Sequence, residues 1–595
     1  MRRSLGGLAV ALLLAFLPLE LVAQDAGAEP SVDLVWGARI PLRDGVTLNA
    51  TIYLPAESRE PRPVIFTLTP YIADSYHDRA MYFARHGYVF ALVDVRGRGN
   101  SGGAFEPMAN EARDGHDVVE WLATQPWSNG KVTMWGGSYA GFDQWSTLKE
   151  FPPHLATIVP AAAAHPGIDF PFQGNVYSSY VVQWMTFTSG VTGNGNLFGE
   201  ASYWRDKFGK LYDEGGAYAT LDRRIGNPLP NFQKWIAHPV PDAYWDAMVP
   251  DSAAYARIAM PILTITGHYD GDQPGAMEYY RRHMRWGSAS AKASHFLILG
   301  PWDHAGTRTP RREVDGLTFG PASLVDLNAL HKEWYDWTMK DGPKPGFLRD
   351  RVAYYVVGPG AEEWKYAPSL EAVTASRRTL YLSSNGEAGD VFASGALTAA
   401  KPTAKTSAPS DRFVYDPLDL RPGKLEREPD PEPGLLSQRA ALNLFGHGVI
   451  YHSAPFEQAT EVTGYVKLVA YLSMDVPDTD LQATLYEILP NGTSVSLTGD
   501  ILRARYRNSP RVESPVPAGK VERYEFDGFP FFSRRVSRGS RLRLVIQAPN
   551  SIHLQKNYNS GGVVARETRK DARTAHLTLH HDASYPSMLE LPIGR

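Results

Sequence analysis

The stretch Met134-Trp135-Gly136-Gly137-Ser138-Tyr139-Ala140-Gly141 decides how the rest of the chain is read. An apolar run, Lys131 to Trp135, leads into small residues around a serine, and a helix-like segment continues to Lys149. A serine placed between strand and helix sits on a tight, strained turn, which only neighbours without bulk permit. The helix also aims its first backbone N–H groups at any oxyanion that forms beside the serine. The pattern departs from G-x-S-x-G, because Ala140 stands at the second glycine and Gly141 follows one place later. Alanine is small enough for the turn to survive. Read alone, Gly-x-Ser also fits an ordinary turn.

A serine hydroxyl is a poor nucleophile without a base. In an α/β-hydrolase the partners follow in the order serine, acid, histidine, each after a later strand. Ile262 to Thr266 reads as a strand and runs into Gly267-His268-Tyr269-Asp270-Gly271-Asp272. His295 to Leu299 reads as another and runs into Gly300-Pro301-Trp302-Asp303-His304. The expected set is therefore Ser138 as nucleophile, His304 as general base and Asp270 as the acid that orients it. Asp272 is an alternative acid, but Asp270 lies nearer the strand end. Asp303 reads as a loop-capping residue and His268 as a packed loop histidine. His165 and His238 have no motif around them. A metal site from His268, Asp270 and His304 lacks the helical His-x-x-x-His spacing, so neither metal nor cofactor is expected.

Gly97-Arg98-Gly99-Asn100-Ser101-Gly102 matches G-x-G-x-x-G after a strand. A dinucleotide fingerprint opens straight onto a helix. Here Gly103-Ala104-Phe105-Glu106-Pro107 intervenes, so nucleotide binding is not the reading.

Outward from the serine, Val64 to Thr69, Tyr88 to Val93, Lys131 to Trp135 and Leu155 to Val159 are short apolar runs suited to buried parallel strands. Helical patterns, Arg79 to His86 and Asp114 to Thr124, lie between them. This alternation predicts a parallel sheet covered on both faces, formed by 32–160 and 251–345. The intervening 161–250 is rich in Trp, Tyr, Phe and Gly without strand alternation, and reads as an inserted helical cap. An amphipathic segment, Leu324 to Met339, precedes Asp341-Gly342-Pro343. Over 350–595 short strand signals recur, among them Leu380 to Leu382, Tyr465 to Leu472, Ala483 to Leu489 and Leu542 to Ile546. They suggest a β-sandwich, with a Pro-, Asp- and Glu-rich connection between Lys401 and Pro433.

Composition narrows the function further. The net charge of -4 leaves no basic excess to neutralise phosphates, so a nucleic-acid partner is not expected. The absence of Cys removes disulfides, thiolate nucleophiles, iron–sulfur centres and cysteine zinc sites. Arg2 and Arg3 followed by the apolar Leu8 to Leu17 and by Leu21-Val22-Ala23 read as a signal peptide over 1–23. Pro18 and Glu20 interrupt the run short of the roughly 20 apolar residues a bilayer span needs. An exported protein, periplasmic or secreted and without stable membrane insertion, is expected.

The motifs together resemble the cocaine-esterase and X-prolyl dipeptidyl-peptidase family, which includes α-amino-acid ester hydrolases and glutaryl-cephalosporin acylases. Gly136 to Gly141 resembles its G-x-S-Y-x-G elbow, and Asp94-Val95-Arg96-Gly97-Arg98-Gly99-Asn100-Ser101-Gly102-Gly103 its D-x-R-G-x-G-x-S-x-G segment. Gly267 to Asp270 and Gly300 to His304 resemble the loops carrying its acid and histidine. The likeness continues through Tyr415-Asp416-Pro417 and Asp480. It implies an α/β-hydrolase domain, a helical cap and a C-terminal jelly roll. It also implies an oxyanion hole from the Tyr71 hydroxyl and the Tyr139 backbone N–H. The implied activity is hydrolysis of an ester or amide of a small acyl compound through an acyl-enzyme, or dipeptide release after proline. In the α-amino-acid ester hydrolases the catalytic acid is followed by further acids, in a D-x-E-D pattern, that bind the substrate ammonium. Its counterpart here is Asp270-Gly271-Asp272-Gln273, which makes Asp272 a candidate substrate contact with one charge fewer beside it. Asp169 in the cap could restore some of that charge.

Overall fold

The computed structural model describes residues 30–56, 60–403 and 409–595; the segment read as a signal peptide lies outside them. Ten strands build the first sheet: β1 (Val32–Pro41), β2 (Thr47–Pro55), β3 (Arg62–Thr69), β4 (Val89–Asp94), β5 (Ser128–Ser138), β6 (Leu155–Ala163), β7 (Ile262–Tyr269), β8 (His295–Asp303), β9 (Val352–Val356) and β10 (Glu363–Ala367). Their spatial order is β1-β2-β4-β3-β5-β6-β7-β8-β9-β10. From β4 to β9 every neighbour is parallel, and the antiparallel pairs β1–β2, β2–β4 and β9–β10 close the edges.

Alternation explains why the parallel strands read as continuous apolar runs. On β3, Val64, Phe66 and Leu68 enter one core while Ile65 enters another. On β4, Val89, Ala91 and Val93 face one way and Phe90 and Leu92 the other. Successive side chains point to opposite faces, so a strand covered on both sides has no polar positions to spare. Helices Glu111–Ala123 and Tyr139–Leu148 contribute to the first core, and Leu327–Met339 to the second. The last begins where the Asp326 carboxylate accepts from the Ala329 N–H at 3.0 Å, an N-cap.

Between β6 and β7 the chain forms the helices Tyr180–Phe187, Ala201–Glu214 and Pro230–Ile236, with a small hairpin, Phe172–Gln173 and Val176–Tyr177. Trp184, Trp235, Trp245, Phe172 and Tyr177 pack there as one aromatic core continuous with that of the sheet.

Two boundaries differ from expectation. Val352–Val356 lies parallel to β8, and Glu363–Ala367 returns antiparallel to it, so both belong to the first sheet rather than to the C-terminal region. All five side chains of Val352–Val356 are buried, and such a run carries no mark of which sheet it joins. Of the segment read as a connection over 401–433, residues 409–433 are more than that. Asp411–Tyr415 pairs antiparallel with Ala575–His580, and a helix follows at Arg421–Arg427. Among the described residues, thirteen strands between Thr374 and Gly594 form a separate C-terminal β-rich domain with its own core. Among the described residues no helix is long and apolar enough to cross a membrane.

Candidate active site

Ser138 ends β5, and the helix Tyr139–Leu148 starts at the next residue. Its backbone stands at φ 64° and ψ -126°, a region a side-chain-bearing residue adopts only under strain. The glycines around it are sterically required. A Cβ on Gly136 would stand 2.5 Å from that of Ala140, and one on Gly141 would stand 2.6 Å from the Ala161 carbonyl oxygen. Ala140 is thus tolerated because Gly136 faces it. The Tyr139 N–H opens the helix and has no partner within it. The Tyr139 side chain is buried. Its hydroxyl donates to the buried Glu111 carboxylate and accepts from the Met108 N–H at 2.6 Å.

The turn carrying Asp270 follows β7. Asp270 is fully enclosed; Oδ1 accepts from His304 Nδ1 at 2.7 Å and from the Asp272 N–H at 3.0 Å, and Oδ2 from the Thr266 hydroxyl at 2.9 Å. Burial alone would raise the Asp270 carboxyl, but His304 and these hydrogen bonds outweigh it and hold it below the ordinary carboxylate range. With Nδ1 committed to Asp270, Nε2 is the His304 nitrogen left for other work. Burial alone would depress the imidazole; Asp272, at 3.8 Å, and Asp270 override it and raise His304 above its usual value.

Ser138, His304, Tyr71, Asp272 and Asp169 all line one cavity of about 390 Å³, walled also by Phe170, Tyr180 and Trp184. The Tyr71 hydroxyl stands 3.3 Å from Ser138 Oγ. Burial pushes its phenol well above the ordinary tyrosine range, so the proton stays on. Asp272 is pushed up to about 6 by burial, with the nearby Asp270 carboxylate acting in the same direction. Asp169 is raised further by burial and by Asp272, although it accepts from the His165 N–H at 2.8 Å and the Gly275 N–H at 2.6 Å.

Gln273, set against an ammonium-binding acid in the sequence, is not in this cavity. Its amide is fully buried on the far side of the turn, where Nε2 donates to the Gly267 and Phe531 carbonyls at 2.9 and 2.8 Å. Oε1 accepts from the Phe531 N–H at 2.7 Å, so one amide pairs with both backbone groups of a residue in the β-rich domain. His268 is likewise turned away, its Nε2 on the Tyr355 carbonyl at 2.6 Å and its ring against Phe531. The Asp303 carboxylate accepts from the Gly306 N–H at 2.7 Å and caps the turn.

The Asp94–Gly103 segment has a structural task. The Asp94 carboxylate accepts from the Ala73 N–H at 2.7 Å, and Arg98 Nε donates to the Pro70 carbonyl at 2.8 Å. Tyr71 is therefore bracketed one residue before and two after. Between the two contacts Ile72 is held at φ 65°, strained for a β-branched side chain. Arg98 reaches the Ser189 and Gly190 carbonyls as well, joining this loop to the chain between β6 and β7. These roles, and that of Trp184 in the cavity wall, left no signal that spacing could reveal.

Sheet order, elbow and the His304–Asp270 pair are those of an α/β-hydrolase, and the chain is a serine hydrolase. It belongs to the cocaine esterase and X-Pro dipeptidyl-peptidase family. Residues 44–306 match the X-Pro dipeptidyl-peptidase (S15 family) model, and 336–590 match that of the X-Pro dipeptidyl-peptidase C-terminal non-catalytic domain. Cocaine esterase of Rhodococcus sp. (strain MB1 Bresler) is 25% identical over 582 residues, covering 93% of this chain and 97% of that protein. Two solved structures share the fold throughout. An α-amino acid ester hydrolase superposes with a TM-score of 0.79 at 19% identity, over 97% of this chain and 100% of its own. An aminopeptidase from a marine-sediment Thaumarchaeota archaeon gives 0.79 at 21% identity, over 98% and 99%.

Proposed function

We propose that the chain hydrolyses esters or amides of small acyl compounds, with Ser138 as nucleophile, His304 as general base and Asp270 as its orienting acid. The observation that carries this reading is the 2.7 Å His304–Asp270 pair sharing one cavity with a strained Ser138. Ser138 Oγ attacks the acyl carbonyl carbon while His304 Nε2 takes its proton. Asp270 fixes the tautomer and stabilises the imidazolium. The Tyr71 hydroxyl and Tyr139 N–H hold the oxyanion. The imidazolium protonates the leaving alcohol or amine. Water, deprotonated by His304, then attacks the acyl-enzyme and frees the acid and Ser138.

Asp272 and Asp169 in the same cavity favour a second reading, in which the substrate carries an amine: an α-amino ester or β-lactam amide, or a peptide with its N-terminal ammonium beside a proline residue. On either reading a signal peptide over 1–23 directs export to the periplasm or medium. A cap over 161–250 interrupts the catalytic domain, and the β-rich domain beyond the first sheet is a jelly roll.

The test is fluorophosphonate labelling of purified protein. Labelling of the native chain at Ser138, lost in Ser138→Ala with the fold intact, is the expected result. Labelling elsewhere would refute the assignment.

A further inference from the structure

Among the described residues, two side chains stand within hydrogen-bond distance of the Tyr71 hydroxyl. Ser138 Oγ lies at 3.3 Å, where either oxygen could be the donor, and Trp184 Nε1 lies at 3.1 Å. An indole N–H donates and has no lone pair to offer. The second contact therefore has one direction: Trp184 gives and Tyr71 receives. Conjugation keeps a phenolic O–H close to its ring plane, in one of two opposed orientations. With the indole hydrogen filling one side, the phenol proton is left to point to the other, towards Ser138 and the cavity.

The direction decides what Tyr71 can do. A phenol that accepted from Ser138 would draw the serine proton away from His304 and turn a lone pair on a developing oxyanion. A phenol that donates meets the oxyanion with its proton already in place and leaves the serine proton to the imidazole. Accepting from the indole also polarises the phenol O–H and strengthens what it donates. Resting on the oxyanion role of Tyr71 given above, we propose that Trp184 is a positioning residue that sets the direction of the Tyr71 hydroxyl proton.

The surroundings suit that task. The Trp184 ring is 3% exposed and lies between Tyr139 and Trp235, stacked at 5.7 and 6.1 Å, with the edge of Phe170 at 5.2 Å. A ring clamped on three sides cannot swing its N–H elsewhere. Three residues on, Phe187 of the same helix stacks on Tyr71 at 5.5 Å. Residues at i and i+3 share a helix face, so one cap helix places both the ring and the hydroxyl of Tyr71. The cap would thus complete the oxyanion hole of the sheet domain as well as wall the cavity.

The test replaces Trp184 by L-3-benzothienylalanine, which keeps the ring shape and lacks the N–H, with W184F as a second variant. Each is made in the native chain and in Y71F, and kcat and KM are measured on a small ester. In the native background the isostere is expected to lower kcat about tenfold, the worth of one ordinary hydrogen bond, with KM within about twofold. In Y71F it should cause no further loss, because the group it orients is gone; a packing defect would persist there. Full kcat with the isostere, or an equal loss in both backgrounds, overturns the inference. If Y71F lowers kcat and the isostere does not, this inference alone fails. If Y71F has no effect, the oxyanion role of Tyr71 fails and the inference with it.

Discussion

Replacing Asp272 by asparagine removes one of the two carboxylates facing the His304 imidazole while keeping the side chain's shape. The Asp272 carboxylate lies 3.8 Å from Nδ1, against 2.7 Å for Asp270. At 3.8 Å two unit charges interact by about 4 kcal/mol in a medium of effective dielectric 20, and by about 1 kcal/mol in water. The side chains of His304 and Asp272 are 38% and 22% exposed, so solvent screening brings the interaction towards the lower value. One pH unit corresponds to about 1.4 kcal/mol, which makes the expected shift about one unit or slightly less. Its sign follows from the chemistry. Burial lowers the His304 pKa, both carboxylates raise it, and only the neutral ring can take the Ser138 proton. Without Asp272 the ring stays neutral to lower pH, so the acid limb of kcat/KM moves down. Asp272, at about 6, titrates in the same range, so the native limb belongs to the pair rather than to either group. The assay is kcat/KM on a neutral ester from pH 5 to 9. An acid limb that stays in place or moves up in D272N would refute the reasoning.

Ser138→Ala is expected to lower kcat by about 10⁶ with an unchanged circular dichroism spectrum, the loss typical of a triad nucleophile; substantial residual turnover in the purified variant would reject it. Tyr71→Phe should lower kcat by roughly 10²–10³, one oxyanion donor, with the melting temperature nearly unmoved. Gln273→Glu sets a buried carboxylate against the Gly267 and Phe531 carbonyls and should cost roughly 3–5 kcal/mol of stability near neutral pH, read by thermal denaturation. A phenylglycine ester should be preferred over the matching phenylacetate ester by about 10- to 150-fold, one charge-assisted contact, as read by kcat/KM. A ratio above about 10⁴ would show a site that strictly requires the amine.

What the sequence alone determined is what short-range chemistry dictates. The elbow is legible because a strained serine needs small neighbours within two or three residues, all of them in one segment. The proposed acid and histidine are legible because each follows an apolar run that has to be a strand, and strands of a parallel sheet present their ends on one side. The phase of a turn is another matter. Asp272 and Gln273 are adjacent in sequence, yet one faces the cavity and the other pairs with Phe531, because consecutive residues at the start of a helix point about 100° apart. Tyr71, Asp169, Trp184 and Asp272 meet from four separate segments, and no spacing along the chain records such a meeting. Val352–Val356 could have joined either sheet on its own pattern; its neighbours chose. The backbone hydrogen bonds of a strand are satisfied equally by any partner edge, and only the packing of the whole decides which edge is free.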